Sequence, residues 1–209
     1  MNDLEVCYWS SVEDLKKAIL DQFEKHLGIT GSMDHKGFNK ALGFNEKGLF
    51  PFDEPDGVEN FQLLSPVRMQ PYGVYDLNRW IQRVFRGREI TNAHKHWGVS
   101  LGNEEIVVHD KVIHLRNQWV QPYDWQNSRT ATDKVALANG EIGLAATDKK
   151  GYLNVFFAGR PWLSFGFRSW GETRDPPLEL AYALTVHKSQ GSDFNYVFVV
   201  VPKQCRLLS

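Results

Sequence analysis

Two apolar runs near the end of the chain constrain the fold most strongly. Two stretches consist almost entirely of apolar residues: LELAYALT at residues 178–185 and YVFVVVP at residues 196–202. Such runs are typical of parallel strands covered on both faces. The polar stretch HKSQ at residues 187–190 lies between them, where Thr185 can cap a short helical turn and Gly191 can provide a left-handed exit. Such a turn lies at the carboxyl edge of a parallel sheet, where α/β proteins bind ligands. An ordinary surface crossover is the alternative.

The first half of the chain predicts further strands and helices of the same α/β type. Alternation in residues 4–9, LEVCYW, predicts a strand. The helical spacing that follows predicts a helix that begins with a Ser10–Glu13 capping box and ends at Gly28. A short strand in NFQLLSP then precedes a second amphipathic helix, which is predicted to end at Gly87.

Composition excludes several classes of protein. Of the 209 residues, 42% are apolar, which is enough for a buried core. The net charge of -1 gives no global basic field for a nucleic-acid partner, although a local patch stays possible. The two cysteines, Cys7 and Cys205, favour a reducing compartment, so we expect a cytoplasmic protein. No apolar run is long enough to predict a membrane span, and we expect no membrane partner.

Several stretches resemble one family of motor proteins. LELAYALTVHKSQGSDF followed by YVFVVVP resembles motif V of superfamily 1 helicases of the RecD/TraA type, which usually reads YA[LI]TVHKSQGSEF. FQLLSPVRMQPYGVYDLNRWIQ resembles the motif IV region of that family, and DKVIHLRNQW with LANGEIGL resembles its inserted barrel. These stretches span roughly residues 60–202, whereas the first 60 residues match only in pattern. The chain resembles the second motor domain, which is the UvrD-like helicase C-terminal region.

The resemblance implies a fold and a division of the chain. We expect an α/β fold with a P-loop-NTPase-like, RecA-type parallel sheet, formed by residues 1–102 and 171–209. The short β-type runs within residues 103–170, such as GEIGLAAT and YLNVFFAG, independently predict a small antiparallel barrel inserted into the α/β domain. In the family this insertion is usually of the Src-homology-3 type.

The resemblance also implies roles for single residues. Nucleotide binding is expected at four positions, with the Arg68 guanidinium directed toward the terminal phosphates: Arg68, Gly191, Ser192 and Asp193. Nucleic-acid binding through motif V is expected at Thr185, His187 and Lys188. The family usually has Glu where Asp193 stands, and the shorter side chain reaches less far. Arg160, Trp162, Arg168 and Trp170 interleave charged and aromatic residues, so Trp170 is a further nucleic-acid candidate, with barrel packing as the alternative.

Other parts of the family pattern are absent from the sequence. No G-x-x-x-x-G-K-[ST] loop occurs, so we expect this chain alone to bind no ATP or Mg²⁺ and to lack catalytic residues, although the intact enzyme would use both. Residues 29–59 predict a long loop or insertion, and Pro51 and Pro55 argue against a strand that would present Asp53 and Glu54 to magnesium. The arginine-bearing motif VI is not present before the chain stops at CRLLS.

We therefore predict a piece of an ATP-dependent DNA helicase, similar to an exonuclease V alpha subunit. Its expected partners are single-stranded or duplex-end DNA and a missing first motor domain. The alternative is a stand-alone nucleic-acid-binding or partner-docking module that lost catalysis, and a viral-type RNA helicase piece is a third possibility. Four histidines, His94, His96, His109 and His114, lack the companion ligands of a metal site, so no metal site is predicted.

Overall fold

The computed structural model describes residues 4–95, 99–149, 152–168 and 176–203. The helices are α1 (Val12–Leu27), α2 (His35–Ala41), a 3-10 helix (Pro55–Glu59) and α3 (Val74–Lys95). The strands are β1 (Phe61–Leu64), β2 (Lys111–His114), β3 (Gln118–Val120), β4 (Tyr123–Asp124), β5 (Arg129–Thr130), β6 (Val135–Leu137), β7 (Ile142–Lys149), β8 (Tyr152–Phe157), β9 (Leu163–Phe167), β10 (Leu178–Leu180), β11 (Ala183–Leu184) and β12 (Tyr196–Val199). Among the described residues, no helix has the length and hydropathy needed to span a membrane.

A three-stranded parallel sheet forms the α/β part of the molecule. Its strand order is β11-β1-β12, with Leu63 opposite Ala183 and Phe61 opposite Tyr196. Aromatic contacts of Phe23 with Phe61 and Phe198 pack α1 against this sheet. The predicted mixed α/β fold with a parallel sheet is confirmed.

The strand β12 is less covered than its sequence predicts. It forms one edge of the parallel sheet, and Val197 and Val199 are 48% and 58% exposed. The apolar run in residues 196–202 therefore does not mark a strand buried on both faces, because among the described residues one neighbouring strand, β1, and the helix α1 cover it.

A larger antiparallel sheet is formed by strands that lie between β1 and β11 in the chain. Its strand order is β10-β2-β7-β8-β9-β4-β5, and β3 pairs separately with β6. Within the described ranges, no pairing joins the edge strands β10 and β5, so the inserted Src-homology-3-like barrel stays a prediction.

The run LELAYALT crosses from one sheet to the other instead of forming a single strand. Its first part, β10, pairs antiparallel with β2, and its second part, β11, pairs parallel with β1. Buried amide side chains satisfy the main chain at the bend. The Asn78 amide donates to the carbonyls of Leu180 and Ala183 and accepts from the Ala183 N–H. The Gln62 amide donates to the carbonyls of Ala181 and Tyr182.

The first helix begins one residue later than predicted. The capping box joins Ser11 to Asp14, not Ser10 to Glu13, with 3.1 and 3.2 Å between the hydrogen-bonded atoms. Gly28 ends the helix in the left-handed conformation with φ of 69°, as predicted. The predicted strand at residues 4–9 is wrong, because this segment has no regular structure.

The second long helix continues past its predicted end. Gly87 lies inside α3, which extends to Lys95, and the backbone departs from helical angles at Arg86. Arg86 is fully buried, and its side chain donates to the His109 carbonyl at 2.9 Å and to Asn39 Oδ1 at 2.6 Å. The helix therefore bends where a buried arginine is held by two other segments.

Residues 29–59 are more ordered than the predicted loop. They contain α2, which is capped by Asp34 and packs through a stacked pair, Phe38 on Phe85, with ring centroids 3.9 Å apart. Asp53 and Glu54 lie in the irregular segment before the 3-10 helix, as predicted. Gly43 and Gly57 approach so closely that a Cβ atom on Gly57 would lie 2.5 Å from Gly43 Cα. Only glycine fits this contact.

The hydrophobic core is continuous between the two sheets. The cluster of buried residues includes Phe61 of the parallel sheet and Phe156 of the antiparallel sheet. Phe52 stacks on Phe156 with centroids 4.4 Å apart, and its carbonyl accepts from Trp162 N–H at 2.6 Å. The division into residues 1–102 with 171–209 and residues 103–170 stays a prediction, and the strand β10 pairs across it.

Two neighbouring charged residues are completely buried where the sheets meet. The Asp110 carboxylate accepts from Gln82 Nε2 at 2.6 Å, from Val107 N–H at 2.8 Å and from the Tyr182 hydroxyl at 2.7 Å. The Lys111 ammonium donates to the Phe61 carbonyl at 2.6 Å. Burial raises the pKa of Asp110 to about 6 and lowers the pKa of Lys111 to about 7.

We predict that Asp110 makes stability fall as the pH rises from about 4 to 6. The folded protein holds this proton more tightly than the unfolded chain, so the contribution is present at low pH and lost through the folded pKa. Between about pH 5 and about pH 7.5, the free energy of unfolding should fall by about 1 kcal/mol relative to Asp110→Asn. Urea denaturation of both proteins at each pH measures the difference, and parallel pH profiles would contradict it.

Lys111 should have the opposite pH dependence at alkaline pH. The folded protein releases this proton at lower pH than the unfolded chain, so deprotonation favours folding as the pH rises through 7. We expect the free energy of unfolding to rise by about 2 kcal/mol between about pH 7 and about pH 9, relative to Lys111→Met. Met keeps the length of the side chain without its charge. The same denaturation assay tests the slope, and an equal slope in both proteins would refute it.

Candidate functional site

The polar turn between β11 and β12 runs back across the parallel sheet. It begins at the carboxyl end of β11, whose Leu184 lies opposite Leu64, and it reaches the amino end of β12, whose Tyr196 lies opposite Phe61. The N–H groups of Lys188 and Ser189 donate to the Thr185 carbonyl at 3.0 and 3.2 Å. These bonds form a single helical turn at the edge where the sequence predicts a ligand site.

Thr185 and Gly191 define the two ends of this turn. The Thr185 hydroxyl oxygen accepts weakly from the Lys188 N–H at 3.4 Å, which is a cap of the predicted type. Gly191 has a φ of 89°, so the left-handed exit forms as the sequence predicts. His187 is exposed near the middle of the turn. The Lys188 side chain extends toward β10, where it contacts Glu179.

The structure brings Arg68 and Lys188 together on one carboxylate. Lys188 Nζ lies 2.6 Å from Glu179 Oε2, and Arg68 Nη2 lies 3.3 and 3.4 Å from the two Glu179 oxygens. The three side chains are 27%, 42% and 24% exposed, in the order Lys188, Arg68, Glu179. Arg68 was predicted for nucleotide and Lys188 for nucleic acid, yet both face the same negative charge.

Tyr75 and Glu104 complete the surroundings of this cluster. Arg68 Nη2 donates to the Tyr75 hydroxyl at 2.9 Å, and the guanidinium lies 5.1 Å from the Tyr75 ring centroid. Glu104 accepts from the Leu180 N–H at 2.6 Å. Burial raises the pKa of Glu104, and the nearby Glu179 charge raises it further, whereas Lys188 and Arg79 oppose the shift.

Gly191 and Ser192 lie beside a different group of residues. Together with Gln190 they line an open cavity of about 330 Å³, whose other side includes Glu59, Glu141 and Gly159. Burial raises the pKa of the Glu59 carboxyl; the Lys111 charge and a Ser192 hydrogen bond oppose the shift, and the Asp193 charge adds to it. The described cavity wall therefore presents carboxylates, which suit hydroxyl or amine donors better than phosphate groups.

The predicted site residues thus fall into two groups with different contacts. Arg68 and Lys188 share Glu179, whereas Gly191, Ser192 and the exposed Asp193 lie toward Glu59. Trp170 lies outside the described residues. Of its sequence neighbours, Arg160 is held by Glu141 through contacts of 2.5 and 2.6 Å, and Arg168 lies over the Tyr152 ring.

Three residues of the site, Glu179, Tyr75 and Glu59, are not predicted from the sequence. Glu179 is the only charged residue in LELAYALT, and that isolation was the available signal. Tyr75 and Glu59 gave no such signal, because their roles depend on how loops and helices pack.

The histidines do not form a metal site in the described residues. No group of three or more His, Cys, Asp or Glu side chains there is arranged to hold a metal ion. His94 lies 3.1 Å from Glu105, His109 lies 3.6 Å from Glu89, and the His114 ring bonds to the Ala138 carbonyl at 3.0 Å. His96 lies outside the described residues.

Comparison with known proteins connects the turn to one family. Residues 180–208 match the UvrD-like helicase C-terminal domain. The RecBCD enzyme subunit RecD of Haemophilus influenzae is 33% identical over 115 residues, which cover 51% of this chain and 16% of that protein. The ATP-dependent RecD2 DNA helicase of Deinococcus radiodurans is 29% identical over 148 residues, which cover 71% of this chain and 17% of that protein.

Two further likenesses are less informative. An uncharacterized protein of Methanocaldococcus jannaschii is 30% identical over 156 residues, which cover 69% of this chain and 12% of that protein. A solved structure of two coordinating Pif1 helicases at forked duplex DNA aligns with 87% of this chain and 40% of that one, at 13% identity. Its TM-score of 0.33 is too low to establish a shared fold.

The matched stretches cover only a small part of the curated relatives, between 12% and 17% of their lengths. The family match begins at Leu180 and includes the whole turn from Thr185 to Gly191. The family match and the two RecD-type relatives together confirm that this chain resembles the C-terminal region of RecD-type superfamily 1 helicases.

Proposed function

We propose that this chain belongs to the second motor domain of an ATP-dependent DNA helicase of the RecD type, similar to an exonuclease V alpha subunit. In the intact enzyme, ATP hydrolysis would drive translocation along a single strand. The observation that supports this proposal best is the convergence of Arg68 and Lys188 beside a parallel sheet, with Lys188 inside the stretch matched by the helicase family. Paired cations at such an edge suit a phosphate group.

The nucleotide would contact this domain through its phosphates and through its sugar or base. Arg68 is suited to a terminal phosphate, because the guanidinium delocalises its charge and Tyr75 holds its orientation. Gly191, Ser192 and Asp193 lie among carboxylates, which suit the hydroxyl groups of a ribose. Bound ATP with Mg²⁺ would supply the reactive phosphoryl group, and this chain's residues would bind and orient it.

Single-stranded or duplex-end DNA is the proposed nucleic-acid partner. Thr185, His187 and Lys188 lie on the turn, with His187 exposed and able to reach a strand on the surface. Trp170 would add base stacking. A first motor domain that carries the phosphate-binding loop would complete the ATP site, because no such loop occurs in this sequence.

The alternative function is a nucleic-acid-binding or partner-docking module without catalysis. One observation favours it: Glu179 already neutralises part of the charge of Arg68 and Lys188. A module of this kind would bind its partner without any dependence on a first motor domain.

We predict that the chain alone has no ATPase activity stimulated by single-stranded DNA. The missing phosphate-binding loop normally stabilises the transferring phosphoryl group, and Arg68 alone cannot replace it. Phosphate release is measured with and without an oligonucleotide, for the parent and for Arg68→Ala prepared in parallel. Stimulated turnover in the parent that disappears in Arg68→Ala would contradict the prediction, whereas equal turnover in both would indicate a contaminant.

We also predict weak, salt-sensitive binding of single-stranded DNA. A net charge of -1 provides no long-range attraction, so affinity must come from local phosphate contacts and stacking. Loss of one hydrogen bond in His187→Ala should weaken binding by about 1 kcal/mol. Loss of one stack in Trp170→Ala should weaken binding by about 1 to 3 kcal/mol.

Fluorescence titration of a labelled oligonucleotide at low and moderate salt measures both effects. Trp119→Ala is the control for the loss of a tryptophan, because Trp119 is 70% exposed and is not among the expected nucleic-acid-binding residues. Equal, salt-independent binding by all four proteins would oppose the helicase proposal and favour the docking module.

A further inference from the structure

One carboxylate contacts both cations that the proposed function assigns to phosphate and neutralises part of their charge. Glu179 Oε2 contacts the Lys188 ammonium at 2.6 Å, and both Glu179 oxygens lie within 3.4 Å of Arg68 Nη2. The three groups carry a summed charge of +1, and the negatively charged group contacts both positively charged ones. A carboxylate in this position makes the contacts that two oxygens of a phosphate group would otherwise make.

We propose that Glu179 is an internal competitor for the phosphate group that Arg68 and Lys188 bind, so that this group must displace Glu179 to occupy the site. The inference rests on the proposed function, because it concerns the same pair of cations. In this role Glu179 lowers the affinity of the site for phosphate. Its contacts with Arg68 and Lys188 are the ones that change when a phosphate binds.

The partners of each cation determine how the exchange takes place. Arg68 keeps a second partner without Glu179, because its Nη2 also donates to the Tyr75 hydroxyl and its guanidinium lies 5.1 Å from the Tyr75 ring centroid. Lys188 belongs to the turn that starts at Thr185, and its ion pair with Glu179 joins this turn to β10. When a phosphate replaces Glu179, the turn loses its side-chain connection to the antiparallel sheet and gains one to the ligand.

The surroundings of Glu179 restrain its movement. Its strand neighbour Leu180 donates its N–H to the partly buried Glu104 carboxylate, and the Glu179 charge contributes to raising the pKa of Glu104, so the two carboxylates are close enough to repel each other. A Glu179 side chain that leaves the cations loses their compensating charge, while the like charge of Glu104 stays nearby. Only a ligand with more negative charge than one carboxylate, such as a nucleic-acid backbone or a triphosphate, therefore competes effectively.

The test compares the parent with Glu179→Gln, which keeps the shape and removes the charge. The probes are a labelled oligothymidine, for backbone phosphates, and inorganic tripolyphosphate, for the phosphates of a nucleotide. At least one probe should bind Glu179→Gln about fivefold to tenfold more tightly at low salt, since the cluster charge rises from +1 to +2. For the oligonucleotide, the slope of log affinity against log salt should steepen by about 0.7.

A matched control and a double variant test whether the gain belongs to this cluster. Glu46→Gln also removes one charge and a 2.6 Å lysine pair, with Lys40, and should leave both affinities unchanged. Lys188→Ala combined with Glu179→Gln should lose most of the gain. Thermal unfolding of each variant establishes that it folds. If Glu179→Gln does not fold, Glu179→Asp, which is too short to keep both contacts, replaces it and should show a smaller gain.

The outcomes separate this inference from the proposed function. If the parent binds the oligonucleotide and neither probe binds Glu179→Gln more tightly, the competitor role is overturned while the helicase proposal stands. If only tripolyphosphate binds more tightly, Glu179 competes with nucleotide phosphates, and if only the oligonucleotide does, it competes with backbone phosphates. If no protein binds either probe, both proposals fail.

Discussion

The bend between β10 and β11 is the feature on which the rest of the structure depends. At Ala181 and Tyr182 the chain leaves an antiparallel sheet and enters a parallel one. Each sheet supplies one main-chain partner there, since the Ala181 N–H donates to the Lys111 carbonyl of β2 and the Tyr182 carbonyl accepts from the Leu63 N–H of β1. Other main-chain groups of the bend, such as the Ala181 carbonyl and the Ala183 N–H, bond to side chains. Buried, unsatisfied main-chain groups cost about 1 to 3 kcal/mol each, so the bend requires other partners. The amides of Asn78 and Gln62 provide them, and thereby fix α3 and β1 relative to both sheets.

This bend also places the candidate site. Glu179 lies on the antiparallel side of the bend and Lys188 on the parallel side, only a few residues after β11. Arg68 arrives from the loop after β1, the strand that pairs with both β11 and β12. The cluster therefore joins the two sheets through charged side chains.

Local patterns in the sequence predicted the elements that depend on short-range chemistry. Gly28 and Gly191 were found because left-handed exits favour glycine, and β1 was found from its apolar run. The strand division of LELAYALT was missed, because periodicity does not show which sheet an apolar segment joins. Gly87 does not end the second long helix, because α3 continues to Lys95 after a kink at Arg86, and the distant partners of the buried Arg86 side chain leave no local pattern in the sequence.

The same limit applies to the site. Arg68 and Lys188 were chosen from family resemblance, but their shared contact with Glu179 depends on the bend, and nothing local in the sequence specifies it. Gly191 and Ser192 were grouped with Arg68 for the same reason, although their described neighbours are Glu59 and Glu141. The sequence therefore indicates which residue types belong to the site, whereas the fold determines which charged side chains form ion pairs with each other.

The exposed edge of the parallel sheet has a consequence for the surface of the molecule. Along β12, the N–H and C=O groups on the side away from β1 have no strand partner among the described residues, and valines flank them. Natural edge strands are usually protected by charge, proline or a bulge, and Val197, Phe198 and Val199 offer none of these. This edge therefore has the free main-chain groups and apolar side chains that suit pairing with another strand, whereas the turn between β11 and β12 is polar.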